Sequence, residues 1–225
     1  VNMPKVSFVI PVFDGDAYLA ETLNSIINQT EKDIEIVVVD DCSPDFTPDL
    51  MDWYRKKDER IVYHRFENNQ GVCAARNYGN QIAKADIICV SDQDDISLPD
   101  RASFTYRFFK KVKDVDCLTS AYNECNVDGV PKQLWMPERM TRELFEQGGF
   151  VWMHSSCAYR KEDILALPYR VEDTKTDDYV FLDDWTKAEK KFWTVKKVLA
   201  NCRRLPMGVM NQRRQVQGLP PSYIL

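Results

Sequence analysis

No run of apolar residues in this chain approaches the ~20 needed to cross a bilayer. The longest are strand-sized, such as Ile36 to Val39 and Ile87 to Val90. Any membrane contact is therefore expected to be peripheral, or made by a segment outside this chain. The start lacks the basic-then-apolar pattern of a secretory signal. The seven cysteines (Cys42, Cys73, Cys89, Cys117, Cys125, Cys157 and Cys202) are odd in number, widely spaced and without a CxxC pair. These absences argue against a disulfide framework or a zinc site and fit reduced thiols in a cytoplasmic setting. Cys89, inside IICV, reads as a small core hydrophobe. Basic excess is missing too: 30 Lys and Arg stand against 35 Asp and Glu, a net charge of -5. A polyanion would be repelled unless the basic residues gathered on one face, so nucleic acid is not an expected partner. Internal repeats and low-complexity tracts are also absent.

What is present suits one compact core: 225 residues, 44% of them hydrophobic. The first half alternates β-branched runs (Val6 to Val12, Ile34 to Val39, Ile61 to His64, Ile87 to Val90) with helical patterns, the signature of βαβ units and a mostly parallel sheet. Leu19, Leu23, Ile26 and Ile27 share one helical face, Thr47-Pro48 reads as a cap followed by proline at the first helical position, and Val72 to Ala83 predicts another helix. After Pro99, the four-residue spacing of Phe104, Phe108 and Val112 predicts a helix burying that face, then a strand near Leu118 to Tyr122. Asp128-Gly129 signals a turn, and Met136 to Gly149 reads as irregular. A strand over Val151 to Tyr159, a helix over Asp178 to Lys190 and a strand over Thr194 to Cys202 complete the pattern. The polar tail from Met207, with Arg213 and Arg214, reads as a wrapping or flexible end.

Ligands of open parallel sheets bind beyond the carboxyl ends of the strands, and acids follow three of these runs. Asp14 and Asp16 come after the first, Asp40 and Asp41 after IEIVVV, and Asp92-Gln93-Asp94-Asp95 after IICVS. Clustered carboxylates are costly unless a cation or hydrogen-bond donors offset them. Alone, Asp92 and Asp94 read equally as ligands of a hard divalent ion or as a strand-end turn and helix cap; beside two other acidic loops, the metal reading is favoured. Asp40-Asp41 can be a solvated turn or an acceptor for a base imide or ribose hydroxyl, and the residues alone leave both open. Arg76, in the small-residue helix after Asn68-Asn69-Gln70-Gly71, can pair with Asp40, Asp92 or a phosphate. His154 reads as a hydrogen-bonded core histidine before it reads as a ligand. Trp135 and Trp152 read as core, with sugar stacking the alternative.

In order and spacing, SFVIPVFDGDAYLAETLNSIINQT, EIVVVDDCSPDFT, NNQGVCAARNYGNQIAKADIICVSDQDD with its following LP, and the later DDYVFLDDW resemble the family-2 glycosyltransferases. The match is specific over the first hundred residues and thins after Pro99. The resemblance implies an α/β, GT-A type, Rossmann-like fold in a single catalytic domain over 1–225. Its nucleotide-binding half would be 1–100, its acceptor-binding half 101–205 and its tail 206–225. It implies inverting transfer of a sugar from a nucleotide-diphosphate donor, a UDP-sugar by preference, to a hydroxyl of a glycan or glycolipid acceptor, with Mn2+ or Mg2+ as cofactor. Pro11, Val12 and Phe13 would line the nucleobase pocket, Asp40 would hydrogen-bond the base with Asp41 beside it, and Asn69 and Arg76 would approach the nucleotide. Asp92 and Asp94 would hold the metal, Asp94 most directly, and Asp178 would be the catalytic base. Phe13 stands where the family commonly has Tyr, Asp14 where it has Asn, Cys42 and Pro44 where it has Gly and Thr, and Asp177 where it has Glu. A nucleotidyltransferase would also carry sheet-edge acids, but its Gly-rich basic N-terminal loop is replaced here by the acidic IPVFDGDAY. A binding module without catalysis is the other alternative.

Overall fold

The structure, a computed structural model, describes residues 3–148, 152–171 and 177–205. Its first half runs β1 (Val6–Val12), α1 (Leu19–Ile27), β2 (Ile34–Asp40), α2 (Thr47–Lys57), β3 (Ile61–Arg65), α3 (Val72–Ile82) and β4 (Ile87–Val90). The four strands pair in parallel in the order β3-β2-β1-β4. Every residue of β1, β2 and β4 is buried, which is why they appear in the sequence as unbroken apolar runs rather than as alternation. On one face α1 buries Leu19, Leu23 and Ile26. On the other, α3 lies so close to the sheet that a Cβ on Gly79 would stand 2.5 Å from Val9 Cγ1.

The second half adds β5 (Ile96–Ser97), α4 (Arg101–Lys111), β6 (Cys117–Cys125), β7 (Pro131–Trp135), α5 (Arg142–Gln147), β8 (Cys157–Arg160), α6 (Lys161–Ala166), α7 (Asp177–Lys187) and β9 (Phe192–Arg203). The sheet continues past β4 as β8-β6-β9-β5, with β7 hydrogen-bonded to β6. β8 is antiparallel to both its neighbours, whereas β6 and β9 are parallel. The result is the expected α/β class, with a nine-stranded sheet between helices. Among the described residues no helix is long and apolar enough to cross a membrane. Six of the seven cysteines are buried.

Four local expectations change. Thr47 is the first residue of α2 rather than its cap, and its hydroxyl instead accepts the Gly15 N–H at 3.1 Å, tying the loop after β1 to this helix. In α4 the fully buried positions are Arg101, Ala102, Thr105 and Phe109, with Phe104, Phe108 and Val112 packed at the margin. The helix is turned by Arg101, whose guanidinium donates to the Val90 carbonyl at 2.6 Å, the Cys157 carbonyl at 3.1 Å and Ser97 Oγ at 3.1 Å. The segment read as irregular contains α5, capped by Thr141 Oγ1 accepting the Leu144 N–H. The strand expected over Val151 to Tyr159 is confined to its end. His154–Ser156 make a single tight turn in which Ser156 Oγ donates to the Met153 carbonyl, a local bond that competes with a ladder. Val151 and the tail 206–225 lie outside the described residues.

Candidate active site

The ends of the parallel strands enclose a cleft of about 240 Å3. Pro11, Val12 and Phe13 line it from the end of β1, Asp41 from the loop after β2, and Val72 and Ala75 from α3. Asp92, Gln93 and Asp94 line it from the loop after β4, and Leu205 from the residues following β9.

Asp40 and Asp41 are neighbours in sequence and differ in surroundings. Asp40 is completely buried; its Oδ1 accepts the Ser43 N–H at 2.8 Å, while Oδ2 accepts the Tyr63 hydroxyl at 2.7 Å and meets Arg65 Nε at 3.2 Å. Burial, and then the bond to Asp40, push the Tyr63 phenol above its usual range. Asp41 reaches the cleft and braces the next loop, accepting the Gln70 N–H at 2.6 Å and the Gly71 N–H at 2.8 Å. Burial raises its pKa, those two N–H groups oppose the rise, and the charge of Asp40 adds to it. Asn69 touches the same residue through its Nδ2, which donates to the Asp41 carbonyl at 3.2 Å. Between this pair and Ser43, Cys42 has φ 64°, and Asp14 after β1 has φ 56°. Both are left-handed positions, which accounts for the glycine the family commonly has in place of Cys42; Asp, like Asn, tolerates the conformation better than most residues do.

In the loop after β4, Asp92 is clamped. Its Oδ1 accepts Arg76 at 2.7 Å, its Oδ2 accepts the Ser155 hydroxyl at 2.8 Å, and its N–H donates to Ser155 Oγ at 3.0 Å. Burial opposes its ionisation, but the Arg76 guanidinium, His154 and the Ser155 hydroxyl together outweigh burial and lower its pKa. Asp94 has the opposite balance. Burial and the charges of Asp95 and Asp92 push it well above the usual carboxylate range. Asp95, buried behind it, accepts the Arg203 N–H at 2.7 Å and is pushed up to about 6, by burial first and then by Asp92. Arg203 also donates to the Asp94 carbonyl and to Glu21 in α1, with its guanidinium 4.6 Å from the centre of the Tyr18 ring.

Arg76, itself buried, lies with its guanidinium 5.8 Å from the centre of the Tyr169 ring. Tyr169 is fixed to α3 by the Asn77 carboxamide, whose Nδ2 donates to the Tyr169 carbonyl and whose Oδ1 accepts the Tyr169 N–H, and its hydroxyl meets His154 Nε2 at 2.7 Å. Phe181 of α7 stacks on Tyr169 at 5.3 Å and on His154 at 5.3 Å, so α7 rests on the aromatic layer behind Asp92. Trp152 belongs to the same layer, 5.8 Å from Phe192, and Trp135 packs against the cluster of Tyr122; both are half-buried at the margin of the core. Asp178 is the second residue of this helix, its Oδ1 accepting the Tyr179 N–H at 2.8 Å. It is half-buried and is not among the residues lining the cleft.

The donor set fits a hard divalent cation. No group of three or more ligating side chains occurs among the described residues. What the loop offers is carboxylate oxygen beside a cleft, with burial and neighbouring acids working against the charge of Asp94. Such a site suits Mn2+ or Mg2+, which complete their coordination with water and substrate phosphate oxygens.

The structure thus gathers Pro11, Val12, Phe13, Asp41, Asp92 and Asp94 around one cleft, places Arg76, Asn69 and Asp40 against it through hydrogen bonds, and sets Asp178 apart on α7. Tyr63, Arg65, Ser155 and Arg203 were not singled out by sequence. They join the site across 22 or more intervening positions, and no local motif announces them.

The family model for glycosyl transferase family 2 matches residues 7–166, which hold the loops after β1, β2 and β4 that line this cleft. The chain is 36% identical over 194 residues to the poly(ribitol-phosphate) beta-glucosyltransferase of Bacillus spizizenii, covering 83% of this chain and 30% of that protein. It is 27% identical over 208 residues to an uncharacterized glycosyltransferase of Methanocaldococcus jannaschii, covering 90% of this chain and 72% of that one. Among solved structures, S. aureus TarS in complex with UDP superposes with a TM-score of 0.70 at 20% identity over 94% of this chain and 64% of the other. A mannosyltransferase from Pyrobaculum calidifontis in complex with GDP-Man and Mn2+ gives a TM-score of 0.66 at 16% identity over 96% and 62%. The two superpositions establish the GT-A type fold. The match over residues 7–166, carrying the acidic loops and the helix that supplies Arg76, establishes that the chain belongs to glycosyl transferase family 2.

Proposed function

We propose that this protein is an inverting, metal-dependent glycosyltransferase that moves a sugar from a UDP-sugar to a hydroxyl of a cell-surface glycan or glycolipid. The observation that carries this reading is the meeting, in one cleft, of the apolar end of β1, Asp41 and the under-compensated Asp94. Pro11, Val12 and Phe13 offer an apolar wall for a base, and Asp41 an acceptor for its imide N–H. Asp40 holds the turn that aims Asp41, and Asn69 and the Gln70–Gly71 backbone fix the loop opposite. Arg76 is pinned by Asp92 and brings positive charge toward the diphosphate. Asp94, with Asp92, would hold Mn2+ or Mg2+; when bound, the ion supplies Lewis-acid neutralisation of the departing nucleoside diphosphate. Asp178 takes the proton from the acceptor hydroxyl as that oxygen attacks the anomeric carbon from the face opposite the leaving group, which inverts the configuration.

The Bacillus relative acts on poly(ribitol-phosphate), which supports a surface polymer as acceptor, and the UDP complex of the S. aureus structure supports a uridine donor. The chain spans 30% of that relative, and we place its work in the cytoplasm, peripheral to the inner membrane face. Calorimetric titration with UDP, GDP and dTDP, each with Mn2+ and with EDTA, tests the donor reading. Mn2+-dependent binding of UDP is expected, and binding of none of the three rejects it. Asp178→Asn should abolish transfer while sparing UDP affinity; unchanged turnover removes Asp178 from the mechanism.

A further inference from the structure

Gln93, the middle residue of the acidic loop, commits its whole carboxamide to one residue of the cleft wall. Oε1 accepts the Phe13 N–H at 2.8 Å, and Nε2 donates to the Phe13 carbonyl at 3.0 Å, across 80 positions of sequence. The pair copies the two-bond exchange between facing residues of an antiparallel ladder. Phe13 therefore cannot slide along the loop or lift from it without losing a bond. The other end of this splint is fixed as well, because the Gln93 carbonyl accepts the Thr22 hydroxyl of α1 at 2.9 Å. Gly15 leaves the space it needs: a Cβ there would stand 3.1 Å from Gln93 Oε1 and 2.7 Å from Val12 Cγ1. The residues joined this way, Phe13 on one side and Asp92 and Asp94 on the other, all line the cleft.

We propose that Gln93 is a positioning residue that couples the nucleobase wall to the cation-holding acids. Its two bonds set where Phe13 meets the base. The same two bonds carry the ordering of Asp92 to Asp94 by a cation and diphosphate back to that wall. Coupling of this kind is reciprocal: if the cation tightens the base site, the base tightens the cation site by the same factor, typically about 5- to 150-fold. This inference rests on the cleft being the donor site. It goes further in giving the residue between the two acids a task distinct from theirs.

The test uses the full chain and three probes: UMP in EDTA, which reads the base wall without a cation, UDP in EDTA, and UDP with Mn2+. Gln93→Met keeps the length and removes both polar ends. Gln93→Glu keeps the acceptor for the Phe13 N–H but sets a second oxygen against the Phe13 carbonyl. Measured well below each variant's melting temperature, Gln93→Met should bind UMP about 5- to 10-fold more weakly, as the loss of two neutral hydrogen bonds at a ligand wall implies. The Mn2+-induced gain in UDP affinity should shrink as well, and Gln93→Glu should lose more on UMP than Gln93→Met. A Gln93→Met protein with a lowered melting temperature and wild-type UMP affinity overturns the proposal and makes the contact merely structural. Tighter binding of Mn2+ and UDP by Gln93→Glu than by wild type also overturns it, since position 93 would then act as another charge. Wild-type protein that binds neither UMP nor UDP overturns the donor-site reading and this inference together.

Discussion

Two acid pairs close the strands that flank β1: after β2 one carboxylate is sealed in the protein and its neighbour lines the cleft, whereas after β4 both acids line the cleft and Asp92 is the clamped one. After β2, Asp40 is sealed under Ser43, Tyr63 and Arg65, while Asp41 lines the cavity. After β4, Asp92 is held by Arg76 and Ser155, while Asp94 is left with its charge poorly compensated. The pairs differ in what the outward member lacks. Asp41 already accepts two backbone N–H groups and has room for one more donor, such as a base imide. Asp94 lies beside two other carboxylates, whose charges add to burial in pushing it well above the usual carboxylate range. The firmly held acid of each pair thus braces its loop, and the other is offered to the cleft.

Breaking the outward members should cost function. Asp94→Ala is expected to lower kcat/KM by roughly 1,000-fold, the rate equivalent of about 4 kcal/mol of lost charge stabilisation. UMP affinity in EDTA should stay within about twofold of wild type, the expected size for a site whose metal and base contacts are separable; kinetics over a Mn2+ series together with calorimetry check both. Asp41→Asn should weaken UMP binding by about 10- to 100-fold, since hydrogen bonds to a charged group are worth about 1.5–3 kcal/mol. A D41N protein with unchanged UMP affinity would remove the contrast between the two pairs. Breaking the inward member should cost stability instead. Asp40→Asn keeps an acceptor for Ser43 and loses the charge facing Arg65 and Tyr63, for an expected loss of about 2 kcal/mol in urea unfolding. UMP affinity should fall less than in Asp41→Asn. Cys42→Gly sharpens the comparison with a gain: relieving a left-handed non-glycine residue between the two functions should add about 1 kcal/mol. That corresponds to a rise of roughly 2–4 °C in Tm for a chain of this size.

Much of this frame is legible in the sequence because fully buried parallel strands leave unbroken β-branched runs, and the acids at their ends stand out against those runs. β1 and β4 fall where Val6 to Val12 and Ile87 to Val90 put them. The division of labour between neighbouring acids is not legible. Whether Asp40 or Asp41 faces inward depends on Tyr63 and Arg65, which arrive from another strand, and on a left-handed Cys42 that propensity does not foresee. The second half is harder for a related reason. β8 is four residues long and antiparallel to both neighbours, so it leaves no long run. α4 is oriented by a buried arginine and Phe109 rather than by Phe104 and Phe108. α6 and β7, with a half-exposed or fully exposed pattern, carry little apolar periodicity to read.

Arg203 gives the molecule an order of assembly. All the strand-end acids of the cleft are present once residue 94 has been made, yet the carbonyl of Asp94, the carboxylate of Asp95 and Glu21 are joined only by a residue 109 positions further on. At about 5–20 residues per second, that residue emerges roughly 5 to 20 seconds later. Until β9 docks and supplies it, the acidic loop has no anchor on that side. A nascent or truncated chain that holds every strand-end acid of the cleft is thus still unfinished at that edge, and the docking of β9 acts as the completion step.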